Sequence, residues 1–476
     1  MKILFLFKSD FSTVPLGIIS LSAVLKENGH QCDFIDIKFE PNYVSEVLRL
    51  QPDILAYSVV SYNWDYYRKL NESIRKKYNA FSVFGGPHCS IYPDYIHHEY
   101  VDAVCVGEGE QAFVDLARNL SENLDISGIP NLWVKQNDEV FKNEIRKLVE
   151  NLDDLPFPDY ELIRKYRFFR NMGIYLIMTS RGCPYNCPYC INHFYRRLYH
   201  NKGKYVRRRS VANVIEELQI AKNKYNTKLI VFNDDVFTAD IEWLGEFADR
   251  YINEIGLPFE AYIRIGTVDE ESIALLSRMG CIALFYGIES GNREIRKNIL
   301  HRNISNREII KVSMLLKKYG IKSMAFNMLA LPGETLNNMF ETLQLNAKCR
   351  IDNPLSFIFQ PFPNLDLTKY AIESGSYLPE NMNFNQSLID GDVMMLTPDA
   401  KQMRRFHYLF VSAVKLKLSH RLIRFLIKLP LDKLYRLILG VSRGLICTFI
   451  IYRPSLKHIA AFYLSYPFVR LFRFFK

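Results

Sequence analysis

The chain has 476 residues, 49% hydrophobic and 24% charged, an ordinary globular composition that excludes a disordered or fibrous protein and leaves room for several cores. Its net charge of +10 is unevenly placed: residues 401–476 hold 7 Lys, 9 Arg and one acid, Asp432, for +15, while the first 400 hold 45 basic against 50 acidic residues. The basicity belongs to the tail alone.

The first apolar run, Ile3 to Phe7, is too short for a secretory segment and ends in charge at Lys8. It reads as a buried strand of a cytoplasmic protein, and an odd count of nine cysteines also argues against a disulfide framework. Predicted strands at 3–7, 32–37, 54–60, 82–84 and 103–106 alternate with helical stretches, the first at 17–28, which is the α/β pattern of a doubly wound, Rossmann-like parallel sheet. Each strand runs into small or polar residues: Ser9-Asp10, Asp36, Ser58 with Ser61, Gly85-Gly86-Pro87-His88, and Gly107-Glu108-Gly109-Glu110. Such ends line one crevice where ligands bind, and glycines there admit close backbone approach, although each taken singly also suits a tight turn.

A proline-broken connector, Leu152 to Tyr160, leads to a strand at 174–179 and then to Cys183-Pro184-Tyr185-Asn186-Cys187-Pro188-Tyr189-Cys190. Three of nine cysteines thus fall within eight residues as C-x3-C-x2-C. Three thiolates on one tight loop suit three irons of a 4Fe-4S cluster and leave the fourth iron open. Zinc is the rival, but a structural zinc needs four ligands, and the nearest further candidate is His193. More strand-helix pairs follow, with strands at 229–232, 259–264, 283–287, 324–329 and 356–359. About six units suggest a partial (β/α)6 TIM-type barrel, whose functional residues sit at the carboxyl ends of strands.

The cysteine spacing, with aromatic Tyr189 before the third cysteine, resembles the signature of the radical S-adenosylmethionine enzymes. The resemblance implies a 4Fe-4S cluster on Cys183, Cys187 and Cys190, with S-adenosylmethionine on the open iron, cleaved to a 5'-deoxyadenosyl radical that abstracts hydrogen from substrate. It also implies cofactor contacts from Tyr189, Asp234, Asp235, Arg264, Glu289, Ser290 and Gly333. Asp234 and Asp235 would serve either as a helix N-cap or as polar contacts to the ammonium group, Arg264 as the partner of the methionine carboxylate, and Glu289 as an acceptor for hydroxyl or amino groups. Ala330 stands where the family's adenine-side turn usually has glycine, and Arg302, Asn337 and Asn338 read as surface residues.

The amino-terminal pieces, Val14-Pro15-Leu16-Gly17, Gly29-His30, Gly85-Gly86-Pro87-His88 and Val106-Gly107-Glu108-Gly109-Glu110, resemble in order the cobalamin-binding domain of one radical subfamily. Cobalamin contacts are then expected from Leu16, Gly17, Ser58, Ser61, Gly85, Gly86, Pro87, His88, Gly107, Glu108 and Gly109. The loop Lys8 to Thr13 has no histidine, which implies cobalt without a lower histidine ligand, with His88 the one candidate left. The tRNA methylthiotransferases share the radical motif and add three amino-terminal cysteines; here Cys32 and Cys105 fall on predicted strands, unlike loop-borne cluster ligands.

Three domains are expected: 1–145, 146–375 and a basic helical region, 376–476. Arg421, Arg424 and Lys428 recur at helical spacing opposite Leu422, Phe425, Leu426 and Leu429. The charge-free stretches 444–452 and 458–469 are shorter than the roughly 20 residues of a spanning helix. A peripheral helix on an anionic membrane face ranks first, a cap over the barrel second, and nucleic acid last. The expected function is cobalamin-dependent C-methylation of an unactivated carbon in an apolar, small-molecule or lipid-like substrate, with electrons from an external flavodoxin- or ferredoxin-type donor. Cyclisation, oxidation or rearrangement without methyl transfer, a tRNA methylthiotransferase and a non-catalytic sensor are the alternatives.

Overall fold

The computed structural model describes residues 1–9, 14–137, 139–379 and 391–445. They fall into two compact units, Met1–Thr227 with Phe362–Asp366, and Lys228–Pro361 with the chain from Leu367 onward.

The first unit carries a seven-stranded sheet in the order β2-β1-β3-β4-β5-β6-β7. Its strands are β1 (Lys2–Phe7), β2 (Gln31–Asp36), β3 (Ile54–Ser58), β4 (Phe81–Gly85), β5 (Ala103–Cys105), β6 (Leu132–Gln136) and β7 (Glu139–Lys142). Neighbours from β2 to β5 pair parallel. Ile3, Leu4, Phe5 and Leu6 are all buried, as expected of a strand covered on both faces. The helices α1 (Leu16–Glu27), α2 (Tyr43–Leu50), α3 (Trp64–Arg75), α4 (Pro87–Ile91) and α5 (Glu110–Ser121) supply the crossovers. The order 2-1-3-4-5 puts the switch point between β1 and β3, the place where such sheets open a ligand crevice. The antiparallel ribbon β6–β7 was not foreseen: it is short, polar and largely exposed on β7, so it lacks the apolar run that marks the other strands.

Still in the first unit follow α6 (Glu161–Arg164), α7 (Arg167–Asn171), β8 (Ile174–Ile177), β9 (Ser180–Arg181), α8 (Ile191–Leu198), β10 (Arg207–Arg208) and α9 (Val211–Tyr225). The second unit contains parallel strands β11 (Leu229–Phe232), β12 (Phe259–Tyr262), β13 (Cys281–Glu289), β14 (Lys322–Leu329) and β15 (Asn353–Ile358), adjacent in that order. Helices α10 (Ile241–Arg250), α11 (Glu270–Arg278), α12 (Asn306–Lys318) and α13 (Leu336–Cys349) connect them. Capping boxes start three of these helices: Asp269 with Ser272, Ser305 with Glu308, and Thr335 with Asn338. Asn338, read as a surface residue, therefore has a defined local task.

After α14 (Asp366–Glu373) come α15 (Ala400–Leu416), α16 (His420–Leu426) and α17 (Asp432–Leu445). Helix α15 buries Met403, Phe406, Phe410 and Val411 among β15, α13 and α17, so this part of the basic region is core. Helix α16 stops at Leu426, short of the expected 429, because Pro430 follows and cannot continue the ladder. Its face is also turned from the expected one: Ile423 and Ile427 are buried, while Leu422 and Phe425 are exposed. The stretch 458–469, most of 444–452, and Asp10 to Thr13 of the first crevice loop lie outside the described residues. Among the described residues no helix is long and apolar enough to cross a membrane.

Candidate functional site

The cysteine loop follows β9, and its backbone is held from both sides. Cys190 N donates to Cys187 O at 3.0 Å, and Arg196 donates to the carbonyl of Cys183. Gly182 adopts φ +88°, and a Cβ there would lie 2.4 Å from the Tyr205 carbonyl oxygen, so no other residue fits the turn that presents Cys183. Cys190 is the N-cap of α8, where the helix dipole favours negative charge. Cys183 and Cys190 are half-buried and Cys187 buried, in a loop with no acidic residue from Gly182 to Leu198. A thiolate-rich, acid-free loop fits an anionic iron-sulfur cluster. His193 shares its Nε2 with Asp366 Oδ2 at 2.8 Å, and its Nδ1 has no hydrogen-bond partner.

In the same unit the carboxyl ends of β3, β4 and β5 form the crevice edge. Ser58, Gly85, Gly86, Gly107, Glu108 and Gly109 are half-buried there and Pro87 is exposed, whereas the strands behind them are buried. Leu16 and Gly17 open α1, half-buried and exposed respectively. Small side chains and bare backbone along an open edge suit a broad, flat macrocycle such as cobalamin. At the end of β2, buried Asp36 accepts from Ser9 N and Lys38 N through Oδ1, while Oδ2 lacks a hydrogen-bond partner; burial raises its pKa.

His88 sits within a ring cluster. Its imidazole stacks on Trp64 at 6.1 Å between centroids, packs edge-on against Tyr95, and shares a 3.1 Å hydrogen bond between Nδ1 and Ser61 Oγ. Burial lowers its pKa to about 4, so the ring is neutral at physiological pH. The Cys32, Cys89 and Cys105 thiols are all pushed up by burial, Cys32 to about 11 and Cys105 to about 12, the opposite of what cluster ligands need.

Crevice edge and cysteine strand are joined by a buried ion network. Arg207 Nη2 meets Glu108 Oε1 at 2.5 Å, Arg181 Nη1 meets the same oxygen at 3.3 Å, and Arg181 Nη2 meets Glu110 Oε1 at 2.6 Å. Burial alone would lower the Arg181 pKa, but Glu110 and Glu108 beside it hold it above its ordinary value. Tyr199 Oη accepts from Glu108 N at 2.6 Å. Gly107, at φ +84°, faces that hydroxyl so closely that a Cβ would lie 2.0 Å from it. Glu108, expected as a cobalamin contact, thus has its carboxylate committed to two arginines.

In the second unit the strand ends carry the residues expected to hold S-adenosylmethionine. Asp234 is buried and Asp235 exposed after β11; the N-cap of α10 is Asp240, so neither serves as one. Arg264 is half-buried after β12. Glu289 ends β13 at φ +65°, an uncommon conformation for a side chain of its length. Its carboxylate lies 3.5 Å from Arg302 Nη1 and packs over Gly287, where a Cβ would stand 1.9 Å from Oε1. Arg302 was expected at the surface; it is buried because it also donates to the Gly287 carbonyl at 2.7 Å. Ser290 is buried, its carbonyl held by Arg296 at 2.6 Å, and Gly333 is exposed at φ +74°. Carboxylates and a guanidinium at one set of strand ends match the ammonium and carboxylate of an amino acid moiety.

Sequence reasoning missed the arginines of this network. The run Arg207-Arg208-Arg209 and the second acid of Gly107-Glu108-Gly109-Glu110 were the available signals, but pairing charges 99 residues apart requires the fold.

Comparison with known proteins gives the family. The Radical SAM superfamily profile matches residues 177–345, and the B12 binding domain profile matches residues 4–117. An uncharacterized methyltransferase of Pyrococcus horikoshii is 30% identical over 77% of this chain and 80% of its own length. The cytidylyl-2-hydroxyethylphosphonate methyltransferase of Streptomyces wedmorensis is 23% identical over 81% of this chain and 84% of its own. Among solved structures, the radical S-adenosylmethionine methyltransferase TsrM from Kitasatospora setae, with cobalamin and a [4Fe-4S] cluster bound, shares the fold at a TM-score of 0.64 and 18% identity, over 77% of this chain and 74% of that one. The chain therefore belongs to the family of cobalamin-dependent radical S-adenosylmethionine methyltransferases, enzymes that work with a 4Fe-4S cluster, S-adenosylmethionine and cobalamin.

Proposed function

We propose that this enzyme methylates an unactivated carbon of an apolar substrate. When bound, the three cofactors supply hydrogen abstraction and a transferable methyl group. The observation that carries the reading is the ion network from Arg181 and Arg207 to Glu108 and Glu110, which fixes the strand before the cluster loop to the edge of the cobalamin crevice within one unit. Two cofactors acting on one carbon need such a fixed spacing. Cys183, Cys187 and Cys190 hold the cluster in this reading, and Arg264, Glu289 and the Gly333 turn orient S-adenosylmethionine.

The crevice edge from Ser58 to Gly109 receives cobalamin through backbone and small side chains, with Ser61 bound to His88 behind it. His88 is buried in its ring cluster with Nδ1 shared with Ser61 Oγ, so it would support the crevice edge from behind. Electrons come from an external flavodoxin- or ferredoxin-type donor. A peripheral association with anionic membrane is supported by Leu416 and Phe425, exposed at 70% and 60%, in a stretch that also exposes Arg421 and Lys428.

The test is anaerobic reconstitution followed by electron paramagnetic resonance and turnover with methyl-labelled S-adenosylmethionine. A cluster signal lost in the Cys183→Ala, Cys187→Ala, Cys190→Ala triple variant, together with label in the product, is expected. Unlabelled product formed alongside 5'-deoxyadenosine would remove methyl transfer from the reading.

A further inference from the structure

The sheet of the second unit buries one face far more than the other. On the face toward the helices, Phe259 packs on Phe237 and Tyr251, Tyr286 reaches Ser313 of α12, and Ser356 reaches His407 of α15; all are buried. On the opposite face Tyr262, Phe285, Phe326 and Phe357 are half-buried, while Ala283 and Met324 of the same face are buried. In a filled barrel the inward layer is the packed core. Here the inward layer is the more accessible one, so the concave side of β12–β15 is an open wall.

That wall is aromatic and ordered. Tyr262 stacks on Phe285 with centroids 4.8 Å apart and planes 25° apart, Phe285 on Phe326 at 5.9 Å and 25°, and Phe326 meets Phe357 at 6.1 Å. The planes of Tyr262 and Phe326 differ by only 6°. Tyr262, Phe285 and Phe326 thus lie within 6.3 Å of one another and Phe357 is tilted by 44° to Phe326, so the four rings form one packed aromatic cluster on the inward face.

At its base stand polar groups without partners. Glu260 precedes Tyr262 by two residues on the same face of β12, is 2% exposed, and its Oε1 has no hydrogen-bond partner. Asn353 lies on the same face of β15, since its register neighbour Met324 is two residues from Phe326. It is 1% exposed, and both Oδ1 and Nδ2 lack partners. Buried polar atoms are nearly always hydrogen-bonded, and exceptions at the base of an open apolar wall point to a ligand that completes them.

We propose that this concave face seats a planar aromatic substrate bearing hydroxyl or N–H groups, its rings against Tyr262, Phe285, Phe326 and Phe357 and its polar groups hydrogen-bonded to Glu260 on β12 and, with two strands between, to Asn353 on β15. The reading above enters only in calling the seated molecule the substrate. An aromatic cluster distinguishes planar from saturated ring systems, because ring-to-ring contact by edge or face adds to simple burial. The acid and the amide distinguish a ring with a donor from a bare one.

The probes are 2-naphthol, naphthalene and decahydro-2-naphthol, titrated into the full-length protein by calorimetry and by tyrosine fluorescence. The wild type is expected to prefer 2-naphthol over its saturated analogue by about fivefold and over naphthalene by about tenfold. Phe285→Leu and, separately, Phe326→Leu are expected to erase the first preference and keep the second. Glu260→Met is expected to erase the second and keep the first. Equal binding of all three probes, absence of binding, or preferences unchanged in folded variants overturns the proposal. The cluster signal and 5'-deoxyadenosine release, measured on the same preparations, report on the radical chemistry independently: their loss with probe selectivity intact sinks the proposed function alone, and the converse sinks this seat alone.

Discussion

Arg181 and Arg207 stand opposite each other in the short antiparallel pair β9–β10, and both reach one carboxylate oxygen of Glu108. Like charges directly opposite on a ribbon repel, so the pairing persists only because Glu108 and Glu110 lie against it. The strand leading to the cysteines is therefore held by acids from the crevice edge.

Removing Glu108 should accordingly cost more than a surface pair would. Glu108→Ala leaves Arg207, 5% exposed, without its counter-charge, and a loss on the order of 3 kcal/mol in urea unfolding is expected. Glu108→Gln, which still accepts from both arginines, should lose less than half of that. Equal losses in the two variants would show that the counter-charge, which both remove, carries the whole effect and the hydrogen bonds none of it. Glu110 adds a pH signature: Arg181 outweighs burial and holds its pKa below 4.5. Its contribution is complete above that value and disappears as pH falls through the lowered folded-state pKa, so the Glu110→Gln variant and wild type should converge in stability only in acid.

Gly287→Ala places a methyl group where the Glu289 carboxylate packs, 1.9 Å from Oε1. The carboxylate must turn away, which breaks its contact with Arg302. The affinity for S-adenosylmethionine should fall about tenfold, as for loss of one charge-assisted hydrogen bond, while cobalamin loading stays unchanged. Parallel losses in both affinities would mean general unfolding and not a displaced Glu289.

How much of this was legible in the sequence follows from the range of each signal. The cysteine loop was legible because its ligands are neighbours in the chain, and the parallel strands because their apolar runs are long and buried, as in Ile3 to Leu6. Edge strand β7 is polar and mostly exposed, and β6 beside it has an apolar run of only Leu132 to Val134, so both read as loop. Arg302 read as exposed because nothing local says that its guanidinium will cover the Gly287 carbonyl and Glu289. The open aromatic wall was hidden for a related reason: Phe285 and Leu284 look alike in sequence, and only the fold decides which faces the helices.

Ala330 offers a local test of a resemblance that looked imperfect. It stands where glycine is usual and adopts φ +58°, with its carbonyl accepting from Tyr377 Oη at 2.7 Å. A left-handed alanine is strained by about 1 kcal/mol, so Ala330→Gly should raise stability by up to that amount. Circular dichroism melts of the two proteins decide it; a variant less stable than wild type would show that the methyl group's packing outweighs the backbone strain.

The exposed apolar residues of the basic region give the membrane association a direct check. Leu416 and Phe425 are exposed, as are Arg421 and Lys428 of the same stretch, and each cation near an anionic surface contributes about 1 kcal/mol. Flotation with phosphatidylserine vesicles at low salt should carry the protein upward, and Phe425→Ser with Arg421→Ser should reduce the floated fraction severalfold without changing cobalamin loading. Protein that stays at the bottom of the gradient at low salt would leave α15 to α17 as a barrel cap alone.

The last expectation concerns Glu260, whose pKa burial raises from 4.5 to about 7. The folded state keeps this acid protonated while the unfolded chain ionises it from about pH 4.5 upward, so wild type loses stability as pH rises through that window and levels off above about 7. A shift of that size corresponds to something on the order of 3 kcal/mol at most. Glu260→Gln cannot titrate and should not lose this amount, so its stability relative to wild type should climb between pH 4.5 and 7 and then stay constant. Urea unfolding midpoints at pH 5 and pH 8.5 measure the difference. If the gap between the two proteins is the same at both pH values, Glu260 is not a buried, uncompensated acid, and the polar base of the aromatic wall loses its principal member.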